Sequence, residues 1–174
     1  KALVEAESPS HEVEALQACA DVVSELAAAV VGAPFERVLV DRRPHLRLTF
    51  GTPRVALIGH FDTVWPLGTI DRWPFEVRGD VATGPGAFDM KAGIVQALHA
   101  VAALPSPEGI ELLFTSDEET GSVTSRRLVE DTAKRVEACL ILEPAADGKL
   151  KVARKGTSMY RFVVEGRAAH AGLE

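Results

Sequence analysis

Apolar residues recur at helical spacing from Val13 to Val31, in a stretch rich in alanine and glutamate, which predicts an amphipathic helix there. Ser8-Pro9-Ser10 just ahead of it supplies a cap. The pattern then shifts to short apolar and β-branched runs of strand length, Arg37 to Val40, Leu46 to Phe50 and Val55 to Gly59. Phe75 to Ala82 reads as a short hairpin around Gly79-Asp80. The loop Thr83-Gly84-Pro85-Gly86 leads to Asp89 and a helix reaching about Leu104, with Met90, Ile94, Ala97, Leu98 and Val101 as its core face. Ile110 to Thr115 is a further strand, and Ser122 caps a helix through Lys134. Cys139 to Leu142 reads as a buried strand, Leu150 to Ala153 as another, and Tyr160 to Glu165 as the first strand of something new.

Strands alternating with helices, several of them apolar throughout, predict an α/β domain: a mixed, mostly parallel sheet with helices on both faces. Such sheets bind ligands at the carboxyl ends of their strands. At 174 residues the chain can bury a sizeable core. A net charge of −6 and the lack of any basic run exclude a surface built for nucleic acid or anionic lipid, so neither is expected as a partner. Two cysteines far apart, Cys19 and Cys139, make no disulfide framework or thiolate metal site, and Cys139 reads as a buried, inert thiol. The longest apolar stretch, near Leu26 to Pro34, is too short to span a bilayer. A cytoplasmic location is the expectation, although the chain starts at Lys1 and not at a methionine.

Charge matters more in where it falls. Val55 to Gly59 runs into His60-Phe61-Asp62, Ile110 to Ser116 into Asp117-Glu118-Glu119, Cys139 to Leu142 into Glu143-Pro144, and the glycine loop into Asp89. Each approach delivers a histidine or carboxylate to one rim. Gathering that many carboxylates without a cation is costly, since like charges repel and each loses hydration. A divalent metal reverses that balance. Imidazole among the oxygens moves the preference toward zinc, with cobalt or manganese as substitutes. Two metals bridged by one carboxylate would suit a hydrolase that polarises a carbonyl and activates a water.

Each residue also has a plainer reading. His60 alone would be a satisfied histidine at a strand end, Asp89 a helix N-cap, and Glu118-Glu119 a solvated acidic turn. Glu143, directly after four apolar residues, is harder to explain without a partner. Spacing of two lets Asp62 accept a ring N–H of His60 and fix its tautomer, while adjacent Glu118 and Glu119 should diverge, one toward metal and one toward substrate. His11, His45 and His99 read as structural or surface, and Gly84-Pro85-Gly86 is too little for a phosphate fingerprint.

Four motifs carry a resemblance: Gly59-His60-Phe61-Asp62-Thr63-Val64, Gly84 to Gly93, Thr115 to Ser122, and Leu142-Glu143-Pro144. In this order they resemble the M20 metallopeptidases. Val64-Trp65-Pro66-Leu67-Gly68-Thr69, Lys155-Gly156 and Gly166 to Gly172 are most similar to the glutamate carboxypeptidase branch. The resemblance implies two zinc ions bridged by Asp89, with His60 and Glu143 completing one site and Glu119 contributing to the other. It implies Glu118 as general base, Asp62 as the residue orienting His60, and a cis peptide between Asp89 and Met90. His170 would reach the substrate from a lid. On this likeness residues 1–155 are the N-terminal part of the catalytic domain and 156–174 the start of a lid or dimerisation domain, with a homodimer formed through the lid in the full-length protein.

The implied reaction is zinc-dependent hydrolysis of an amide or peptide bond, releasing a C-terminal amino acid such as glutamate from a small peptide or N-acyl amino acid. Other substrates within the family, an N-acyl amino acid or succinyl-diaminopimelate, stay open, as does a non-catalytic metal-binding or interaction domain. Family members are longer and return a further histidine to the second zinc site. The present chain is therefore expected to hold at most one well-formed metal site and to be inactive alone.

Overall fold

In the computed structural model, residues 1–145, 147–153, 155–156, 158, 160–166 and 172 are described, and the chain divides into two units, Lys1–Pro144 and Ala145–Glu174. In the first unit, the strands Val55–His60 and Ile110–Thr115 take central places, where both of their faces are covered. Five strands form one sheet: β1 (Glu36–Val40), β2 (Arg43–Thr49), β3 (Val55–His60), β6 (Ile110–Thr115) and β7 (Ala138–Ile141). Their spatial order is β1-β2-β6-β3-β7. The β1–β2 and β2–β6 pairs are antiparallel, while β3 runs parallel to both β6 and β7. The separate hairpin β4 (Glu76–Arg78) and β5 (Val81–Thr83) turns at Gly79-Asp80, as the sequence predicts.

Helix α2 (Val13–Val31) buries Leu16, Cys19, Ala20, Val23 and Ala27, which are spaced three, one, three and four residues apart along one stripe. With Ile94, Leu98 and Val101 of α4 (Ala92–Ala102) it covers Leu46, Leu57, Leu112 and Phe114 of the sheet. Leu128 and Val129 of α5 (Arg126–Arg135) cover Ala56, Ile58 and Leu113 on the opposite face. Helices thus lie on both faces, and the mixed α/β expectation holds. Two single-turn helices, α1 (Ala2–Glu5) and α3 (Thr69–Arg72), carry no sequence signal long enough to register.

Several local expectations change. Neither Ser8 nor Ser10 caps α2, whose N-cap position is Glu12. Ser122 does not cap α5 with its side chain; the helix begins after Ser125, and the N–H of its first residue, Arg126, donates to the Ser122 carbonyl. The run Cys139 to Leu142 is not a buried strand: β7 is the sheet's edge among the described residues, and Leu140 and Ile141 are exposed. Cys139 is consequently half-buried, enough for burial to push its thiol up. In the second unit, Leu150–Ala153 and Tyr160–Glu165 form no strands. Leu150, Val152, Phe162 and Val164 face solvent there, so among the described residues no covering layer selects a pleat. No helix among the described residues is long and apolar enough to cross a membrane.

Candidate metal centre

Parallel pairing brings the carboxyl ends of β3, β6 and β7 to one edge, with His60 opposite Thr115 and Ile58 opposite Ile141. Three chain segments therefore leave the sheet side by side. β3 ends in His60, a one-turn 3₁₀ segment after β6 holds Glu118 and Glu119, and Glu143 follows β7. Asp89 comes from a wide turn, Ala87–Lys91, ahead of α4, and its peptide to Met90 is cis, as the resemblance implies. Asp89 is not the helix cap.

Two glycines permit this convergence. A Cβ on Gly59 would lie 2.8 Å from Met90 Cε, so the bare backbone lets Met90 slide under β3, and its Sδ accepts the His60 N–H at 3.2 Å. A Cβ on Gly93 would overlap the Leu142 carbonyl, so the start of α4 can press against the residue that precedes Glu143. Two residues without side chains thus set the spacing of Asp89 and Glu143.

His60 is the hub and is almost fully buried. Its Nδ1 lies 3.0 Å from the carbonyl oxygen of Asp62 and 3.3 Å from Asp62 Oδ1. A carbonyl can only accept, so Nδ1 carries the proton and Nε2 faces the cluster. Nε2 is 3.3 Å from Asp89 Oδ1, 3.4 Å from Glu143 Oε1 and 3.9 Å from Glu118 Oε2. Two sets of ligand atoms lie close enough to share an ion: His60 with Glu118 and Glu143, and His60 with Asp89 and Glu119. The structure therefore brings together all of the six predicted residues His60, Asp62, Asp89, Glu118, Glu119 and Glu143.

The electrostatics of this cluster are unbalanced. Burial acts to lower the His60 imidazole, yet Asp62, Glu143 and Glu118 outweigh it and push the ring from its ordinary 6.5 up to about 9. Burial pushes the Glu119 carboxyl up, and Asp89, Asp62 and Glu118 add to this against the opposing pull of His60. Glu143 is likewise raised by burial and by its acidic neighbours Asp89 and Glu118. One shared imidazolium cannot neutralise so many carboxylates. The donor set, imidazole nitrogen and carboxylate oxygens at mutual ligand distances, fits a divalent metal cation.

Asp62 does more than its spacing suggested. Fully buried, it accepts the backbone N–H of Glu118 at Oδ1 and that of Glu119 at Oδ2, both at 3.2 Å, and the Ser10 hydroxyl at 2.7 Å. It thus holds the acidic turn as well as His60. Ser8 donates to the Phe61 carbonyl at 2.6 Å, and Glu7 accepts the N–H groups of Gly68 and Ile70. Asp117, read only as part of an acidic run, takes the N–H groups of Thr124 and Ser125 and the Thr124 hydroxyl, and so fixes the chain entering α5. No local signal separates these serines from helix caps, since Ser followed by Pro is also a favoured helix start. His45, read as structural or surface, is buried with its Nε2 3.0 Å from Thr124 Oγ1. His170 lies outside the described residues.

Comparison with known proteins follows the same lines. The description "Peptidase family M20/M25/M40" matches residues 56–167. The chain is 37% identical over 129 residues to carboxypeptidase G2 of Pseudomonas sp. (strain RS-16), covering 70% of this chain and 31% of that one. It is 30% identical over 138 residues to succinyl-diaminopimelate desuccinylase of Wolbachia sp. subsp. Brugia malayi (strain TRS), covering 69% and 34%. Among solved structures, an M20 family metallo-carboxypeptidase from Sulfolobus solfataricus superimposes with a TM-score of 0.65 at 20% identity, over 80% of this chain and 36% of that one. The chain spans about a third of the length of these curated relatives.

Proposed function

From the premise that the chain belongs to peptidase family M20/M25/M40, we propose that the protein carrying it hydrolyses an amide or peptide bond at a zinc centre, releasing a C-terminal amino acid such as glutamate from a peptide or N-acyl substrate. The observation that carries this reading is a carboxylate, Glu118, 3.9 Å from the shared ligand His60 and beside a second acid, Glu119, aimed at the same cluster. With His60, Asp89, Glu119 and Glu143 taken as the ligands, Glu118 is a half-exposed carboxylate left over at the mouth, for which a site meant only to bind an ion has no use. The likeness to carboxypeptidase G2 supports the glutamate-releasing form.

His60, Asp89 and Glu143 would hold one ion, with Asp89 shared and Glu119 contributing to a second. A bound divalent ion supplies Lewis acidity to the scissile carbonyl and to a water. Glu118 takes the proton of the attacking water and hands it to the departing nitrogen, so one carboxylate serves as base and then acid. Asp62 holds the His60 tautomer and, through two backbone N–H groups, the Glu118-Glu119 turn. Residues 1–155 are assigned to the catalytic domain and 156–174 to the start of the lid, where His170 would meet substrate and where a homodimer would form. The enzyme is placed in the cytoplasm, in keeping with the free thiols of Cys19 and Cys139.

The decisive measurement is turnover by the full-length, zinc-loaded protein and its Glu118→Gln variant. Release of glutamate from an N-acyl or pteroyl glutamate is expected, falling by about a hundred- to ten-thousand-fold in the variant while zinc stays bound. A variant as active as the parent would refute the assignment. A second reading within the same chemistry draws on the likeness to succinyl-diaminopimelate desuccinylase. Preference for succinyl-diaminopimelate or another N-acyl amino acid in the same assay would select it. Zinc binding without turnover of any such amide would indicate a non-catalytic metal domain.

A further inference from the structure

Antiparallel pairing carries a cation to the acidic rim. In the β2–β6 pair Leu46 lies opposite Phe114, so the first residue of β2, Arg43, falls past the carboxyl end of β6, level with the start of the acidic turn. A two-residue turn, Asp41-Arg42, closes β1 on β2, with Val40 paired to Arg43 and both turn residues at positive φ. Tight turns of this kind match the twist of the strands they join, so Arg43 starts from a fixed backbone.

From there its half-buried side chain reaches two separate segments. Nη1 donates to the Ser10 carbonyl, ahead of α2, and to the Ser116 carbonyl at 3.4 Å, at the entry to the Glu118-Glu119 turn. A terminal guanidinium nitrogen carries two N–H groups, one for each carbonyl. Asp62 joins the same two segments through different atoms, accepting the Ser10 hydroxyl and the N–H groups of Glu118 and Glu119. The contacts close a ring: Arg43 to Ser10, Ser10 to Asp62, Asp62 to the turn, and the turn through Ser116 back to Arg43. A guanidinium that only donates and a carboxylate that only accepts hold the turn between them.

The second hold has a chemical consequence. Asp62 fixes where the backbone of Glu118 and Glu119 lies; a further anchor at Ser116, two residues upstream of Glu118, fixes how the turn is oriented. The Glu118 carboxylate, with Oε2 3.9 Å from His60 Nε2, takes its direction from that backbone. We propose that Arg43 is a positioning residue of the hydrolytic site, setting the aim of Glu118 by joining the Ser10 and Ser116 carbonyls. The inference rests on the hydrolase reading and adds to it a residue outside the proposed ligands, on a strand that supplies none of them.

The test uses the full-length, zinc-loaded protein, its Arg43→Met and Arg43→Lys variants, and Arg42→Met as a control. Arg42 is the exposed neighbour whose guanidinium pairs with Glu14 of α2. Arg43→Met should lower kcat on an N-acyl glutamate by about ten- to a hundredfold, the scale of a small misplacement of a reacting group. Its KM should stay within about twofold and its zinc content should match the parent, because neither substrate nor ion is held by Arg43. Arg43→Lys keeps the charge but ends one bond short of Nη1, so its kcat should lie at least about threefold below the parent, and it carries the test if Arg43→Met does not fold. In the metal-free protein, hydrogen exchange of segment 116–120 should quicken by at least about fivefold in Arg43→Met while β6 keeps its rate. Arg42→Met should change none of these. Parent-like kcat and exchange in Arg43→Met, full activity in Arg43→Lys, or losses shared with Arg42→Met or with all of β6 would overturn the assignment while leaving the hydrolase standing. A parent that cleaves no N-acyl amino acid or peptide would remove the hydrolase reading, and with it the catalytic meaning of Arg43, whatever the exchange rates show.

Discussion

Strand β6 holds a buried carboxylate near its start and leads to the Glu118-Glu119 turn past its end, and the two neighbourhoods are built in opposite ways. Glu111 has a fully buried side chain on the sheet. It accepts from Arg135 and from the hydroxyls of Thr132 and Thr49, with Arg47 Nε 3.8 Å away. Burial would raise it, but the hydrogen bonds of Arg135, Thr132 and Thr49 prevail and hold it below the ordinary carboxylate range. Glu119, eight positions along the chain, and Glu143 beside it are pushed up by burial and by other acids. The chain spends its own donors on the carboxylate that ties α5 to the sheet and withholds them from those at the rim. Unmet acid is the signature of a site that waits for a cation.

Exchanging the two kinds of carboxylate for alanine should give opposite results. Glu111→Ala strands Arg135 against a buried wall and should cost about 3 kcal/mol in urea unfolding, the low end for such a pair because Arg135 is part-exposed. Its zinc affinity, measured by competition with a chelator, should stay within about twofold. Glu143→Ala should lower zinc affinity by about a hundredfold or more, since even partners behind the ligands are worth ten- to hundredfold. The metal-free variant should be no less stable than its parent, because a repelled acid has been removed. If both variants lost stability and neither lost zinc, the contrast between structural and functional acids would be wrong.

A smaller effect lies in pH. His60, raised to about 9, stabilises the metal-free fold in its protonated form. That contribution is complete below 6.5 and is lost as pH climbs through about 9. Glu119 and Glu143 act in the same direction, because a raised carboxyl favours the fold when protonated. Glu111, held low, contributes above its ordinary 4.5 and is lost only as pH falls through its lower folded value. The unfolding temperature of the metal-free protein should therefore drift downward from pH 6.5 to 9, and zinc should flatten the slope by turning His60 into a neutral ligand. An equally steep slope with zinc bound would mean that His60 does not ligate it.

What could be read from the sequence and what could not divides along the same physical line. Helix α2 was legible to the residue because its stripe is long and regular. The rim acids were legible because each follows an apolar strand, a place where a carboxylate has no local reason to be. Ser8 and Ser10 were misread as caps because hydroxyls serve nearby backbone in most contexts, and their true partners lie more than fifty residues away. Glu111 drew no attention, although a lone acid inside Ile110–Thr115 demands a partner; the partner, Arg135, comes from a helix that packs only after folding. The apolar run of β7 matches a central strand, and only its place in the sheet order reveals an edge.

The tether formed by residues 7 to 10 makes the proposed site depend on the segment ahead of α2. Ser10 grips the same carboxylate that steadies the acidic turn, yet it lies ahead of the first long helix and contributes nothing to that helix's packing stripe. Clipping the chain just before Val13 would leave every proposed ligand in the polypeptide but would take Leu3 and Val4 out of the core. It would also release the clamp that Ser10 places on Asp62 and, through Asp62, on the Glu118-Glu119 turn.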